Sequence, residues 1–358
     1  MQDRAVIIIP ALNPPKSLVN YCRSLLQAGF SQIILIDDGS CEVYKELFSE
    51  IADLEGCSVL RHAINLGKGR ALKDAFNQFL NMTDYQKYSG VITVDSDGQH
   101  AIKDVLAINE EMAKNKPELI LGVRDFHGKD IPSKSRFGNR LTCKVFQLLH
   151  GIKLKDTQTG LRGIPTKLLK EYLLLQGERF EYETNMLIAT AMKQIPFYEV
   201  DIQTIYVDGN KETHFHPIRD SLAIYRLLFF TFIKYTVASF SSFVLDIALF
   251  QFILMLAGNM GEAFRIGIAT VMSRLISSIF NFFVNKNIVF RKKGKNISLI
   301  VKYYCLCILQ MVCSAGLVLL FYQRLGISET IVKILVDTVL FMISYRVQKS
   351  LIFVNGEL

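Results

Sequence analysis

The chain has 358 residues, a hydrophobic content of 50% and a net charge of +8, so it is long enough for two domains with sizeable cores. Its mean hydropathy of +0.26 is high for a protein that is soluble throughout. The charge favours an anionic membrane surface or a phosphate-rich ligand over nucleic acid, because basic residues flank apolar segments and no basic patch is interleaved with aromatic side chains.

Compartment is indicated by two further features. The seven cysteines are an odd number without a CxxC pair, which indicates a reducing environment. No secretory signal peptide precedes the first apolar run. We therefore expect the N-terminal part of the chain in the cytoplasm.

Short apolar runs in the first part of the chain predict buried strands. They are Ala5–Pro10, Ile33–Ile36, Val91–Val94 and Leu119–Leu121. Helix-like segments separate them, at Leu18–Ala28, Tyr44–Leu54, Gly69–Leu80 and Ile102–Lys114. Apolar runs without polar alternation, spaced by helices, predict an α/β domain with a mostly parallel, Rossmann-like sheet covered on both faces. We expect this domain over residues 1–216.

Polar residues follow each of these strands. They are Asn13 after the first run, Asp37–Ser40 after the second, Asp95–Asp97 after the third and Gly122–Arg124 after the last. Sheets of this kind bind ligands beyond the carboxyl ends of their strands. Four polar loops at one sheet edge therefore predict a binding site.

A metal site is predicted within this group. Asp95, Asp97 and Gln99 alternate along an extended segment directly after a strand. Their oxygens are hard donors, suited to Mg²⁺ or Mn²⁺ held together with phosphate oxygens. An isolated pattern of this kind is usually a solvated turn, and its position after the strand favours the metal.

Two other loops carry weaker signals. Asp37–Ser40 is either an ordinary turn or a carboxylate that accepts hydrogen bonds from a ribose or base. Asn65–Arg70 opens a helix with two glycines and two cations, and such a helix start can hold phosphate, although it lacks the Walker spacing.

These segments together resemble the family 2 glycosyltransferases, inverting enzymes with a GT-A fold, over about Ala5 to Ile224. The likeness is greatest to dolichyl- and bactoprenyl-phosphate sugar transferases. The family's opening Pro-Ala-Tyr-Asn-Glu stands here as Pro10–Pro14, with Leu and Pro in place of the Tyr and the nucleotide-holding Glu. The resemblance implies that Asp95, Asp97 and Gln99 hold metal or diphosphate. It implies a nucleotide pocket of Pro10, Ala11, Asn13, Asp38, Lys68, Gly69 and Asp95.

Two further segments resemble those of the family and suit the binding of a phosphate acceptor. Gly122–Arg124 looks like the family's Gly-Ser-Arg, and Asp156–Arg162 is close to a segment of bactoprenyl-phosphate glucosyltransferases. Guanidinium groups bind phosphate bidentately. We expect the acceptor phosphate at Arg124, Arg136, Arg140 and Gln158, and a catalytic set of Asp95, Asp97, Arg124 and Arg136.

Three other charged residues are expected to be structural. A solvated surface position is favoured for Arg162. Glu181 and Glu183 open an apolar helix, where acidic residues are common because of the helix dipole, and a catalytic role is the less favoured interpretation.

The second part of the chain predicts a membrane domain of four helices at 231–358. Apolar stretches long enough to cross a bilayer are Tyr235–Ala257, Ile266–Val284, Ile297–Tyr322 and Thr330–Phe353. The basic residues Lys286, Arg291, Lys292, Lys293, Lys295, Arg346 and Lys349 lie at one set of helix ends, so the positive-inside rule predicts both termini in the cytoplasm. Residues 217–230 are expected as an interfacial amphipathic segment. Through Tyr235–Phe252 and the Asn-Phe-x-x-Asn-Lys-x-x-x-Phe segment at 281–290, this half resembles GtrA-like four-span proteins, which are associated with the handling or flipping of lipid-linked sugars.

An internal repeat is visible within the spans. Asn281–Phe290 parallels Ser344–Phe353, and the alignment places Arg274 opposite Asp337 at matching depth. Charges in a membrane are costly unless paired. We therefore predict an Arg274–Asp337 pair, with Asp246 as the competing partner.

The leading hypothesis is the inverting transfer of one sugar from a nucleotide-sugar to undecaprenyl or polyprenyl phosphate at the cytoplasmic face of the plasma membrane, for cell-envelope glycan modification. UDP-glucose is the favoured donor; N-acetylglucosamine, galactose and mannose stay open. A processive polysaccharide synthase is disfavoured because the chain has no tryptophan for the acceptor motif of those enzymes. A non-enzymatic lipid-sugar flippase or scaffold is the third hypothesis. The oligomeric state, a homo-oligomer included, is left open.

Overall fold

A computed structural model of the chain describes residues 4–114, 116, 118–125, 133–203, 217–257, 261–292, 294, 296–325 and 328–353. These form two compact units, Met1–Leu227 and Leu228–Leu358. The expected domain end at His216 and the basic residues Lys293 and Lys295 lie outside the described residues.

The described part of the first unit contains one sheet of seven strands. They are β1 (Val6–Ala11), β2 (Ile33–Asp37), β3 (Cys57–Arg61), β4 (Gly90–Thr93), β5 (Leu119–Arg124), β6 (Arg162–Pro165) and β7 (Phe197–Ile202). The order across the sheet is β3-β2-β1-β4-β6-β5-β7. Only β6 runs antiparallel to its neighbours, so the predicted mostly parallel α/β sheet is confirmed.

Helices cover the sheet. They are α1 (Leu18–Gln27), α2 (Lys45–Ala52), α3 (Lys68–Leu80), α4 (Ile102–Met112), α5 (Ser133–His150), α6 (Thr166–Tyr172) and α7 (Glu181–Met192), with short 3₁₀ turns at Glu42–Tyr44 and Tyr85–Lys87. The four predicted helices and four predicted strands are confirmed, with their ends shifted by a few residues. Their apolar side chains fill the core: Ile7 and Ile9 of β1, for example, pack in one cluster with Leu25 of α1.

Three strands lack a continuous apolar run and were not predicted from the sequence. The edge strands β3 and β7 are largely half-buried or exposed, so their sequences mix polar and apolar residues. The short strand β6, with the sequence Arg-Gly-Ile-Pro, contains a single large apolar residue.

The topology decides which loops meet. β1 lies between β2 and β4, so the chain changes direction across the sheet there, at the position where such sheets bind ligands. Because β6 is antiparallel, its first residue Arg162 stands opposite Thr93 near the end of β4. The loop that precedes β6 therefore returns to the sheet edge that carries Asp95.

The second unit is helical, as predicted. Its helices are α8 (Pro217–Leu256), which begins in the first unit, α9 (Glu262–Val284), α10 (Asn296–Leu325) and α11 (Glu329–Val347). The segment expected at the interface, 217–230, is the first part of the continuous helix α8. Its interfacial placement stays a prediction.

Three of these helices are long and apolar enough to cross a membrane: Arg219–Leu256, Phe264–Val289 and Ile297–Phe321. The helix α11 has 19 residues and carries Lys333, Asp337 and Arg346, which reduce its mean hydropathy. The protein is a membrane protein with apolar helices, and the count of four spans stays a prediction.

The internal repeat is confirmed in the helices. α9 and α11 each continue into a π-helical turn, Asn285–Val289 and Gln348–Ile352. The equivalent residues Asn285 and Gln348 are hydrogen-bonded (Nδ2 to Oε1, 3.2 Å). Phe290 and Phe353, also equivalent, stack with ring centroids 5.2 Å apart. Sequence equivalence thus corresponds to structural equivalence.

The predicted pairing of Arg274 with Asp337 is wrong. Arg274 instead pairs with the competing candidate Asp246, at 3.3 Å from Nη2 to Oδ2. Asp337 pairs at 2.9 Å with Lys333, which lies one turn earlier on the same helix. Matching depth in an alignment says nothing about lateral distance, and a neighbour at i−4 is always within reach.

Candidate functional site

Asp95 lies directly after β4 at the edge of the sheet. Its Oδ1 accepts a hydrogen bond from Lys68 Nζ at 2.7 Å, and its Oδ2 lies 3.3 Å from His100 Nε2. His100 is buried, and its backbone carbonyl accepts a hydrogen bond from Tyr21 at 2.7 Å. The first carboxylate of the predicted metal site is therefore fixed by partners on two sides.

The two aspartates differ electrostatically. Burial tends to raise the pKa of Asp95, but the Lys68 ammonium and His100 lower it well below its ordinary value. Burial raises the pKa of Asp97, and the adjacent Asp95 charge raises it further. The surroundings therefore favour the charged form of Asp95 and disfavour the charged form of Asp97.

The third predicted ligand, Gln99, follows in the same turn. Its backbone N–H donates to Asp97 Oδ1 at 3.1 Å. No group of three or more His, Cys, Asp or Glu side chains is arranged for a metal among the described residues. Two carboxylates and an amide suit a cation that completes its shell with ligand phosphates.

Lys68 connects the loop that carries Asp95 to helix α7. Its Nζ lies 2.7 Å from Asp95 Oδ1 and 2.9 Å from Glu183 Oε2. Burial alone would lower the pKa of Lys68, but the charges of Asp95 and Glu183 and hydrogen bonds to both raise it above its ordinary value. Lys68 therefore bridges two carboxylates that favour its charged form. The sequence favoured a dipole role for Glu183, and this contact was missed.

Two glycines allow the start of α3 to pack closely against the start of α7. A Cβ at Gly69 would stand 2.6 Å from the Cβ of Tyr182, and one at Gly67, whose φ is +107°, would overlap the backbone of Glu178. The start of α3 thus lies directly against the start of α7. The two glycines around Lys68 are the sequence signal that could have indicated this contact.

Asp38 holds the loop that precedes Lys68. Its carboxylate accepts hydrogen bonds from the backbone N–H groups of Leu66 and Gly67 at 2.9 and 2.8 Å. Its Oδ1 also lies 2.8 Å from Nδ1 of His62. The side chain is buried. In this structure Asp38 positions Lys68, and its contact with a nucleotide stays a prediction.

The end of β1 is tied to the loop after β2. Pro10 and Ala11 are buried in β1, and Asn13 has a positive φ of 46°. The Asn13 N–H donates to Ser40 Oγ at 2.8 Å, and its Oδ1 accepts from the N–H of Cys41 at 2.9 Å. These residues, predicted for the nucleotide pocket, therefore lie at the same edge as Asp38.

The loop before β6 is seated on Asp95. Thr93 Oγ1 donates to the carbonyl of Gly160 at 2.7 Å. A Cβ at Gly160 would stand 2.6 Å from Cγ of Asp95. Only a residue without a side chain fits there, so the 156–162 segment lies in contact with the candidate metal site.

The same loop fixes Arg124. Arg124 donates to Asp156 through Nε at 2.7 Å and through Nη2 at 3.2 Å. The Asp156 carboxylate is fully buried, whereas the Arg124 side chain is 25% exposed. This two-point contact sets the plane of the guanidinium.

The other predicted phosphate ligands lie on α5 and in the loop. Arg136 is half-buried and Arg140 is exposed one turn later, so both lie on one side of the helix. Asn139, which is buried between them, donates to the carbonyl of Lys155 at 3.0 Å and accepts from the N–H of Thr157 at 3.3 Å. The sequence did not indicate Asn139, which fastens α5 to the loop.

Gln158 is exposed, and its backbone N–H donates to Asp156 Oδ1 at 2.9 Å. Its side chain is thus at the surface of the loop that holds Arg124. The acceptor roles of Gln158 and the arginines stay predictions.

The expected surface position of Arg162 is wrong. Its side chain is fully buried, with Nε donating to the carbonyl of Thr159 at 2.9 Å and Nη1 donating to the carbonyl of Glu183 at 2.7 Å. Because β6 lies inside the sheet, its first residue is enclosed. Arg162 therefore joins the 156–162 loop to α7.

The fold is a mostly parallel α/β sheet with a cluster of charged side chains at the edge that carries Asp95. Two family profiles match the chain: "Glycosyl transferase family 2" over residues 6–173 and "GtrA/DPMS, transmembrane domain" over residues 234–353. The chain is a glycosyltransferase with a family 2 domain followed by a GtrA/DPMS transmembrane domain. The resemblance found in the sequence is confirmed.

Several proteins are similar to the first part of the chain. An uncharacterized protein of Methanocaldococcus jannaschii is 28% identical over 63% of this chain and 92% of its own length. The UDP-N-acetylglucosamine–dolichyl-phosphate N-acetylglucosaminyltransferase of Methanococcus voltae is 27% identical, over 64% and 96%. The dolichyl-phosphate beta-glucosyltransferase of Saccharomyces cerevisiae is 26% identical, over 50% and 58%.

Among solved structures, glucosyl-3-phosphoglycerate synthase from Mycobacterium tuberculosis is 16% identical, with a TM-score of 0.46 over 63% of this chain and 76% of that protein. It was crystallised with Mn²⁺, UDP and phosphoglyceric acid.

Proposed function

We propose that this glycosyltransferase moves a single sugar, with inversion, from a UDP-sugar to polyprenyl phosphate. The names of two relatives, from Methanococcus voltae and Saccharomyces cerevisiae, support a polyprenyl phosphate acceptor. UDP-glucose is the first donor to test, because the sequence favours it and the yeast relative is named a glucosyltransferase, and UDP-N-acetylglucosamine is the second, because it stands in the name of the Methanococcus voltae relative.

The observation that carries the proposal is that one loop, 156–162, contacts both Asp95 and Arg124. Gly160 lies against Asp95, and Asp156, four residues earlier in the same loop, holds the guanidinium of Arg124. An anionic donor and an anionic acceptor bound at these two positions would be neighbours. Sugar transfer between two phosphates requires such an arrangement.

The donor side fits a divalent cation, Mg²⁺ or Mn²⁺. Asp95, Asp97 and Gln99 would hold it, because two carboxylates and an amide are hard oxygen donors that follow the end of one strand. The cation would neutralise the diphosphate that departs from the sugar. Asp38, which is itself held by His62, fixes the loop from which Lys68 reaches Asp95. These residues therefore position the Lys68 ammonium beside the candidate metal site.

The acceptor side requires arginine and no general base. A phosphate monoester is largely ionised near neutral pH because its second pKa is about 6. Arg124, Arg136 and Arg140 suit the binding of such a group. Glu183, an acidic residue at the start of α7, is paired with Lys68.

The membrane helices support an acceptor carried by lipid. We propose four spans, with α11 as the fourth, and both the catalytic domain and the chain termini on the cytoplasmic side. Lys286, Arg291 and Lys349 at one set of helix ends support this orientation.

The test uses the full chain purified in detergent, radiolabelled UDP-sugars, undecaprenyl phosphate and Mg²⁺ or Mn²⁺. We expect a product that extracts into chloroform and carries one sugar, formed with UDP-glucose and abolished by EDTA. Asp97→Asn is expected to remove turnover, whereas Asp84→Asn, at an exposed residue that pairs with Lys87, is the matched control. A water-soluble polymer would indicate a processive synthase instead. Product formation that survives both EDTA and Asp97→Asn would rule out the metal.

A further inference from the structure

Lys68 occupies a position suited to a cation beside Asp95. Its ammonium lies 2.7 Å from Asp95 Oδ1 and 2.9 Å from Glu183 Oε2. The Lys68 and Glu183 side chains are only 17% and 10% exposed. The Asp95 side chain is 31% exposed, so water screens this contact in part, and the ammonium, which is shared with Glu183, offsets part of the negative charge of Asp95.

Asp97 differs from its neighbour. In the part of the chain that the structure describes, ion pairs reach Asp95 from Lys68 and His100, and none reaches Asp97. One carboxylate of the candidate metal site is thus already compensated and the other is not. A divalent cation that arrives without the donor would find Asp97 available as a ligand, whereas Asp95 is already paired with Lys68.

We propose that Lys68 is the resident counterion of Asp95 and exchanges this carboxylate for the diphosphate of the donor when the donor binds. This inference deepens the proposed function and rests on its metal-dependent step. Before the donor arrives, Lys68 opposes the binding of free metal. After the exchange, Asp95 is available to the cation and Lys68 binds phosphate oxygens.

The binding of the metal and the binding of the nucleotide are then coupled. Each ligand strengthens the binding of the other by the same factor, because coupling between two ligands is reciprocal. Glu183 is a positioning residue in this scheme. Its carboxylate keeps the ammonium near Asp95 without becoming a metal ligand.

The experiment measures Mn²⁺ and UDP binding rather than activity. Dissociation constants for Mn²⁺ with and without UDP are obtained by titration calorimetry on the full chain in detergent. The variants are Lys68→Met, and Lys68→Gln in case the first does not fold. Lys68→Arg retains the charge. Lys73→Met is the matched control, because Lys73 is a buried cation of the same helix that pairs with Glu178 at 2.7 Å.

We expect Lys68→Met and Lys68→Gln to bind Mn²⁺ at least tenfold more tightly than the wild type when UDP is absent. We expect the coupling between Mn²⁺ and UDP to fall by at least tenfold in both. Lys68→Arg and Lys73→Met should retain the wild-type values. Glu183→Gln should not tighten Mn²⁺ binding, since Lys68 is then left to Asp95 alone.

Two failures are distinguishable. If the wild type binds no Mn²⁺ even with UDP, the metal of the proposed function is wrong and the inference falls with it. If the wild type binds Mn²⁺ with UDP but the two uncharged variants match it with and without UDP, the inference alone is overturned.

Discussion

Gly160 lies so close to Asp95 that a Cβ at position 160 would stand 2.6 Å from the Asp95 carboxylate carbon. The carbonyl of Gly160 is fixed from the other side by Thr93 Oγ1 at 2.7 Å. The loop before β6 therefore forms a wall of the site and cannot retreat from an added side chain.

Gly160→Ala is expected to reduce kcat by about 100-fold, because a displacement of about 1 Å in a reacting group costs on that order. The measurement is sugar transfer to polyprenyl phosphate by the full chain. Gly138→Ala is the control, since no atom of the described residues lies within 4 Å of a Cβ there. Unchanged turnover in Gly160→Ala would mean that Asp95 need not keep its observed position.

Arg124→Lys tests the acceptor side. Lysine keeps the charge but cannot make the two-point contact with Asp156 that orients the guanidinium. We expect the KM for polyprenyl phosphate to rise about tenfold and the KM for the UDP-sugar to stay unchanged. Arg23→Lys, at an exposed ion pair with Glu50, is the control. A rise in the donor KM instead would assign Arg124 to the donor.

Arg162→Met tests the buried arginine. The change removes the arginine donor of the Thr159 carbonyl and an additional donor of the Glu183 carbonyl within α7, and an unsatisfied buried group costs about 1 to 3 kcal/mol. We expect a loss of about 3 kcal/mol, which lowers the melting midpoint by about 6 to 12 °C for a domain of this size. The chain has no tryptophan, so circular dichroism is the suitable probe. The exposed-site control Arg23→Met should change stability by less than about 0.5 kcal/mol, and an equally small effect at Arg162 would contradict its burial.

Charge exchange tests the pairing in the membrane helices. Arg274 lies 3.3 Å from Asp246, so Arg274→Asp and Asp246→Arg should each lower thermal stability in detergent. The double exchange should recover about 1 to 3 kcal/mol relative to additivity. The exchange of Arg274 with Asp337 is the matched control and should give no recovery. Recovery in that control alone would restore the pairing first predicted from the repeat.

The sequence was sufficient for features that depend on local pattern. Apolar runs such as Ile33–Ile36 predicted buried strands because both faces of a central strand are covered. The Asp95–Asp97 pair after such a run predicted the candidate metal loop, and uninterrupted apolar stretches predicted the membrane helices. The repeat around Asn285 and Gln348 predicted two equivalent helix ends.

The tertiary structure alone decided which distant segments meet. The antiparallel insertion of β6 brings Gly160 against Asp95 and buries Arg162, which the sequence placed at the surface. The packing of α3 on α7 gives Lys68 its second partner, Glu183. Lateral packing likewise pairs Arg274 with Asp246 rather than Asp337. The pattern of a strand or helix reports which of its faces is buried, whereas the partner of a charged side chain depends on strand order and helix packing over long sequence distances.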